Sequence, residues 1–177
     1  MNYLNLPAVE IGLRHVAAIG VDRIHERVDC LTAWLIDSLL SLRHSNGAPL
    51  IRIYGPTTMQ DRGGTVTVNF YDPQGKLVDH RRIEALASRA NISLRTGCFC
   101  NPGAGEVAHG LTREEMAEGF KNRERMTFEQ FLTVLERRGD KSAGAVRVSL
   151  GLVTNFADVC RFLRFAQGFL DQPVGDL

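Results

Sequence analysis

Thr65-Val66-Thr67-Val68-Asn69-Phe70 decides the fold class. Val66, Val68 and Phe70 alternate with Thr65, Thr67 and Asn69, a period of two that suits a strand and not a helix. Just upstream, Ile51 and Ile53 alternate with Arg52 and Tyr54 and predict a second strand. Asp72-Pro73-Gln74-Gly75 supplies turn chemistry after the clearer strand. Further out the period changes. Ile83, Leu86, Ala87 and Ala90 share one face of a helix running from about Asp79 to Ala90. Ile92, Leu94 and Thr96 then read as a short strand, and Ala145 to Leu150 as another. Asn155 with Asp158 marks the start of a final helix carrying Val159, Phe162, Leu163, Phe165, Ala166 and Phe169.

Towards the N-terminus the pattern is helical. Pro7 suits a first helical turn, where its missing N–H costs nothing. Val9, Leu13, Val16, Ala17 and Ile19 follow at helical spacing, and Gly20 stops the run. Asp22 is the expected N-cap of a second helix. That helix carries a stripe of Ile24, Val28, Leu31, Leu35, Leu39 and Leu42, with Trp34 and Ile36 beside it, and ends near His44. Asn46-Gly47-Ala48-Pro49 is a loop. The stretch from Gly103 to Gly144 is polar and predicts two helices, started by capping boxes at Thr112/Glu115 and Thr127/Gln130. Few strands, separated mostly by helices, predict an α+β domain. Its small antiparallel or mixed sheet has helices packed on one face and is preceded by a long N-terminal helical segment. There is no internal repeat and no low-complexity tract.

The chain has 177 residues, 44% hydrophobic and 23% charged, with a formal net charge of +1. That is the composition of one globular domain able to bury its own core. It lacks the basic stripe of a nucleic-acid binder. Its densest basic cluster, Lys121 to Arg125, is interrupted by Asn122 and Glu124 and reads as solvated surface. No run of about 18 apolar residues predicts a membrane span, and the N-terminus has no signal-peptide pattern. The chain holds 4 Cys without a paired framework, which suits a reducing compartment. The expectation is a cytoplasmic protein with neither membrane nor nucleic acid as partner. Helical pattern begins almost at Met1, which suggests a piece of something longer.

Chemistry concentrates in Ser93-Leu94-Arg95-Thr96-Gly97-Cys98-Phe99-Cys100-Asn101-Pro102-Gly103. Two thiols stand one residue apart in a Gly- and Pro-bracketed loop beside Arg95. A thiol is a nucleophile only as its thiolate, which a nearby cation favours. Burial as a small apolar filler is the plain alternative. A zinc site would need a second ligand pair, which is missing, since Cys30 and Cys160 fall within helical patterns. A redox dithiol would more usually be spaced Cys-x-x-Cys. Arg147, in Val146-Arg147-Val148-Ser149-Leu150, is either a half-buried ion-pair partner or a binder of a substrate carboxylate. His15, His25, His44 and His80 read as surface or structural residues without acidic partners at fixed spacing. Asn101-Pro102-Gly103-Ala104-Gly105 lacks the Lys-Ser/Thr ending of a phosphate loop.

Leu94 to Ala104 resembles the cysteine loop of the molybdenum cofactor sulfurase family, within the class V aminotransferase and cysteine desulfurase superfamily of pyridoxal-phosphate (PLP) enzymes. Two further pieces agree in order and spacing. Asn2 to Leu13 with Ile19 to Ile24 resembles the segment leading into that superfamily's small domain. Val146 to Leu150 with the helix at Asn155 to Leu170 resembles its C-terminal end. The resemblance implies the C-terminal domain of a fold-type I PLP enzyme. Residues 1–44 would be the helical connection from a large domain, and 45–177 the small domain, with the cysteine loop at 97–105 and a helical insertion at about 106–142.

The resemblance also implies roles. The second thiol of the motif aligns with the attacking residue, so Cys100 is the implied catalytic nucleophile, accepting sulfur from cysteine as a persulfide while alanine is released. Cys98 is a possible second thiol. Arg147 aligns with the Arg holding the substrate carboxylate, and Arg95 with an Arg near the same pocket. The implied cofactor is PLP, held as a Schiff base in the full-length enzyme. The only lysines here, Lys76, Lys121 and Lys141, match no Schiff-base motif, so none is expected to bind it covalently. The implied partners are the large PLP-binding domain or a full-length relative, a second copy in a homodimer, and a sulfur acceptor. The chain is expected to be inactive alone. Two other readings stand beside this one: a truncated relative acting as a dimerisation or regulatory module, and a class V aminotransferase or lyase portion without sulfur transfer.

Overall fold

The computed structural model describes residues 3–97, 110, 112–114, 117 and 144–177. Helix α1 (Leu6–Ile19) and helix α2 (Val21–Ser41) open the chain. Strands β1 (Ile51–Tyr54) and β2 (Thr65–Phe70), helix α3 (His80–Arg89), strands β3 (Arg95–Gly97) and β4 (Ala145–Ser149) and helix α4 (Phe156–Gln167) follow. Single 3₁₀ turns occupy Tyr3–Asn5 and Val174–Asp176. The fold is therefore α+β, with a helical N-terminal segment ahead of a small sheet. The predicted two helices between Gly103 and Gly144 fall mostly outside the described residues.

The sheet order is β1-β2-β4-β3 and every pairing is antiparallel. Alternation sends Ile51, Ile53, Val66, Val68, Phe70, Val146 and Val148 to one face, where α2, α3 and α4 cover them. Leu35, Ile36 and Leu39 of α2, Ile83 of α3 and Val159, Phe162, Leu163 and Ala166 of α4 complete the core. Phe169 tilts against Phe70 with centroids 5.1 Å apart, and Trp34 meets Phe156 at 4.4 Å.

Local chemistry fixes the helix ends. Asp79 caps α3 by accepting from the Arg81 N–H. Asn155 and Asp158 form the reciprocal capping box of α4. Asp22 departs from expectation. The N-cap of α2 is Gly20, and Asp22 sits inside the first turn, where its charge suits the helix dipole. Gly20 adopts φ 94°, a conformation that sets α1 apart from α2 without a connecting loop. The strand expected over Ile92, Leu94 and Thr96 is also shorter than its pattern. Ladder pairing begins only at Arg95, while Ile92 and Leu94 pack on the core as loop residues.

A polar knot ties the C-terminus to the sheet. The Asp171 N–H donates to His44 Nδ1 at 3.0 Å, so that nitrogen is an acceptor and Nε2 carries the proton shared with Tyr71 O at 2.9 Å. Ser45 donates to the Asp171 carboxylate from both its N–H and its hydroxyl. Asp72 accepts from Gln74, Lys76 and Val174 backbone N–H groups. His44 and Asp72 are buried, so their contacts replace hydrogen bonds to water that burial removes.

Candidate functional site

The second face of the sheet is polar. It carries Arg52 and Tyr54 from β1, Thr65, Thr67 and Asn69 from β2, Arg147 and Ser149 from β4, and Arg95 from β3. Register sets four of these in one row across all the strands: Tyr54 opposite Thr67, Thr67 opposite Arg147, and Arg147 opposite Arg95. The sequence-predicted Arg147 and Arg95 thus come together although 52 positions separate them in the chain. Arg147 is half-buried and Arg95 exposed. Like charges placed directly opposite repel by up to about 1 kcal/mol. None of the four strands holds an Asp or Glu, and the charged residues they bring to this face are Arg52, Arg95 and Arg147.

Side-chain anchors fix this row. Thr96 hydroxyl donates to Glu84 of α3 at 2.7 Å, pinning that residue to the helical side. Its neighbours Arg95 and Gly97 then face the other way. Asn69 is buried, and its Nδ2 donates to Tyr54 Oη at 3.2 Å and to Gly144 O at 3.4 Å. Tyr54 Oη also meets Tyr71 Oη at 3.3 Å, and the Arg52 guanidinium lies 5.4 Å above the Tyr54 ring. Burial first, and then the contact with Tyr71, push the Tyr54 phenol far above its usual range, so it stays a neutral donor.

Cys98 and Cys100 lie outside the described residues. The strand that precedes them does not: β3 ends at Gly97, with φ 108°, one position before Cys98. The other thiols are free, Cys30 exposed on α2 and Cys160 half-buried on α4. Among the described residues no group of three His, Cys, Asp or Glu could hold a metal ion. None of the described helices is long and apolar enough to cross a membrane.

The described residues offer little for a Schiff base with PLP. Their one lysine, Lys76, is exposed on the Asp72–Lys76 turn, its backbone N–H tied to Asp72. It therefore stands in a surface turn and not on the arginine-bearing face.

Sequence reading passed over Tyr54, Thr67 and Asn69. Their signal was the polar half of the period-two pattern, which marks a second face as clearly as the apolar half marks the core. It also passed over an acidic partner: His25 Nε2 lies 3.2 Å from Asp29 Oδ2, one turn along α2.

A model of the family Aminotransferase class-V matches residues 2–162. Curated relatives include a molybdenum cofactor sulfurase from Solanum lycopersicum, 30% identical over 94% of this chain and 20% of its own length. One from Drosophila ananassae is 37% identical over 81% of the chain and 18% of its own length. One from Homo sapiens is 29% identical over 93% and 19% respectively. The chain thus spans about a fifth of the length of these relatives.

Proposed function

The chain belongs to the class V aminotransferase family, and from that membership we propose that it is the C-terminal, sulfur-accepting portion of a PLP-dependent, cysteine desulfurase-like enzyme. The observation that carries the reading is the pair Arg147 on β4 and Arg95 opposite it, the first residue of the strand that ends one position before Cys98. Arg147 holds the carboxylate of the substrate amino acid through its planar fork, and Arg95 adds a second positive charge beside it. Cys100 is the thiol that takes sulfur from cysteine, leaving a persulfide on the protein and releasing alanine; Cys98 is a possible second thiol. PLP, which would supply the electron sink for breaking the carbon–sulfur bond, belongs with a large domain outside this chain. The chain alone is accordingly inactive, and its setting is the cytoplasm.

Residues 1–44 are the connection to that large domain, 45–177 the small domain, and about 106–142 an insertion within it. Helix α1 supports this division. It buries none of its residues, and Leu6, Val9, Leu13 and Val16, which share one face, are exposed. A contiguous apolar face of this kind marks an interface. The same face favours a second reading, in which the chain pairs with a second copy or a full-length relative as a dimerisation or regulatory module.

Competitive alkylation of the native chain, read by peptide mass spectrometry between pH 5 and 9, tests the thiol assignment. Cys30 serves as an internal standard, because it is exposed on a helix. The expected result is that Cys100 labels about tenfold faster than Cys30 at pH 6, as a thiolate stabilised by nearby cations would. Equal or slower labelling of Cys100 overturns the sulfur-accepting role. Persistence of a monomer by size exclusion at high concentration overturns the self-pairing reading.

A further inference from the structure

Strand β1 is an outer strand of the sheet, with β2 on one side only. In an antiparallel ladder, opposite pairs alternate between hydrogen-bonded and non-hydrogen-bonded. The Tyr71 N–H donates to Leu50 O at 2.8 Å, which fixes the phase. Arg52 opposite Asn69 and Tyr54 opposite Thr67 are then the bonded pairs, and Ile51 opposite Phe70 and Ile53 opposite Val68 the non-bonded ones. Phe70 agrees with this phase, since its carbonyl accepts from the Val78 N–H at 2.9 Å and so turns away from β1. Ile51 and Ile53 therefore turn their N–H and C=O groups outward, where no described residue bonds them.

A groove runs beside this edge. A cavity of about 450 Å³ is lined by Leu40, Pro49, Ile51, Arg52, Ile53 and Thr57, among others. Leu40 of α2 is exposed and Ile53 half-buried, so the helical side of the groove is apolar. On the opposite side Arg52 is exposed, lies over the Tyr54 ring and enters no salt bridge among the described residues. Both ends of the edge are closed. Arg43 bridges to Pro49 at one end, and Gly55 leaves the strand with φ 100° at the other.

We infer that this edge accepts an extended segment of a partner protein as an added strand, with an acidic residue opposite Arg52 and apolar residues opposite Ile51 and Ile53. Donors and acceptors on every second residue match an extended backbone. Side chains paired across a ladder share a face. The residue opposite Arg52 therefore meets the guanidinium, and its two neighbours meet Ile51, Ile53 and the Leu40 side of the groove. A second copy of this chain fits less well. A two-fold pairing that uses both Ile51 and Ile53 sets Arg52 against Arg52 of the copy, and like charges directly opposite repel. Shifting that register by two residues sets Ile53 against Pro49, which has no N–H, or Ile51 against Gly55, beyond the strand end.

The test is amide hydrogen exchange, read by nuclear magnetic resonance on the isotope-labelled full chain with the end-blocked peptide Ser-Val-Glu-Val-Ser. Without peptide, the Ile51 and Ile53 amides should exchange fast and the Arg52 amide slowly. Millimolar peptide should slow Ile51 and Ile53 and move the Arg52 side-chain resonance. Ser-Val-Lys-Val-Ser should bind about fivefold more weakly, the size of an exposed ion pair, and Arg52→Glu should reverse that preference. N-methylation of both peptide valines, which removes the donors facing β1, should abolish the protection. Unchanged exchange at Ile51 and Ile53, or protection that survives N-methylation, overturns strand addition. Equal binding of the two peptides overturns the acidic occupant. Slow exchange of Ile51 and Ile53 in the free chain overturns the open edge: if it grows with protein concentration the occupant is a second copy, and if it does not the chain covers the edge itself. Exchange is read in the unsubstituted chain, so the outcome stands whether or not Arg52→Glu folds.

Discussion

Gly144 shows how one missing side chain places a functional strand. A Cβ at this position would overlap the imidazole of His80, which is buried at the first turn of α3. Its carbonyl meanwhile accepts from buried Asn69. The residue is squeezed between a helix end and a sheet amide, and β4, with Arg147 on it, begins at the next position. Gly144→Ala should cost about 1–3 kcal/mol, because neither His80 nor the backbone can retreat without breaking another contact. Urea denaturation of the variant would measure this. A cost within experimental error would mean that His80 rotates freely and that the contact does not set the position of β4. Gly97 is a different case. Its φ of 108° is a backbone demand, and any side chain there is strained whatever the space around it.

At the scale of elements, α3 is the support under β3. Asp79 caps it, and Glu84 on its surface receives the Thr96 hydroxyl. Burial on its own would raise the Asp79 carboxyl. The Arg81 side chain and N–H, which both donate to it, outweigh burial and hold it below its ordinary value of 3.8. A carboxyl lowered in the folded state stabilises above its unfolded value, and that stabilisation is lost as pH falls through the folded value. Asp171, lowered by the two donors of Ser45, has the same sign. Both contributions are therefore complete near neutrality and disappear below about pH 4. Thermal midpoints of the native chain and of Asp79→Asn, compared from pH 2 to pH 6, should converge at the acid end and separate as pH rises through 4. Parallel curves would show that the cap is too solvated to couple to folding.

For the molecule as a whole, stability is unevenly distributed. The core joins α2 from Thr32 onward, the sheet's apolar face, α3 and α4, and α1 contributes no buried residue to it. The knot of His44, Tyr71 and Asp171 closes this body at its far end. Removing residues 1–19 should change unfolding free energy by less than about 1 kcal/mol, since surface losses are of that size. His44→Ala should cost about 2–4 kcal/mol, because it takes the partner from the part-buried Tyr71 carbonyl and Asp171 N–H and leaves a cavity where a buried ring stood. Chemical denaturation of the two variants gives the comparison. A large loss on deleting α1 would mean that it packs on the body in solution and is not an uncovered interface. The reverse ranking would move the cooperative core towards the N-terminus.

The sequence by itself determined what neighbours in the chain can settle. The period of two in 51–54 and 65–70, the helical stripes, the Asp79 cap and the Asn155–Asp158 capping box all act across two to four residues, and the structure forms each of them. It also marked Arg95 and Arg147 as candidates, through motif and context. It did not show that they stand opposite one another, nor that Tyr54 and Thr67 complete their row. Those facts depend on strand order and register, which are set when one apolar face buries itself against α2, α3 and α4. A shift of one residue would turn Arg147 into the core. The His44–Asp171 bond, spanning 127 positions, is of the same kind. Only the tertiary structure decided these, because a contact between distant residues exists once the intervening chain has paid its entropy and packed.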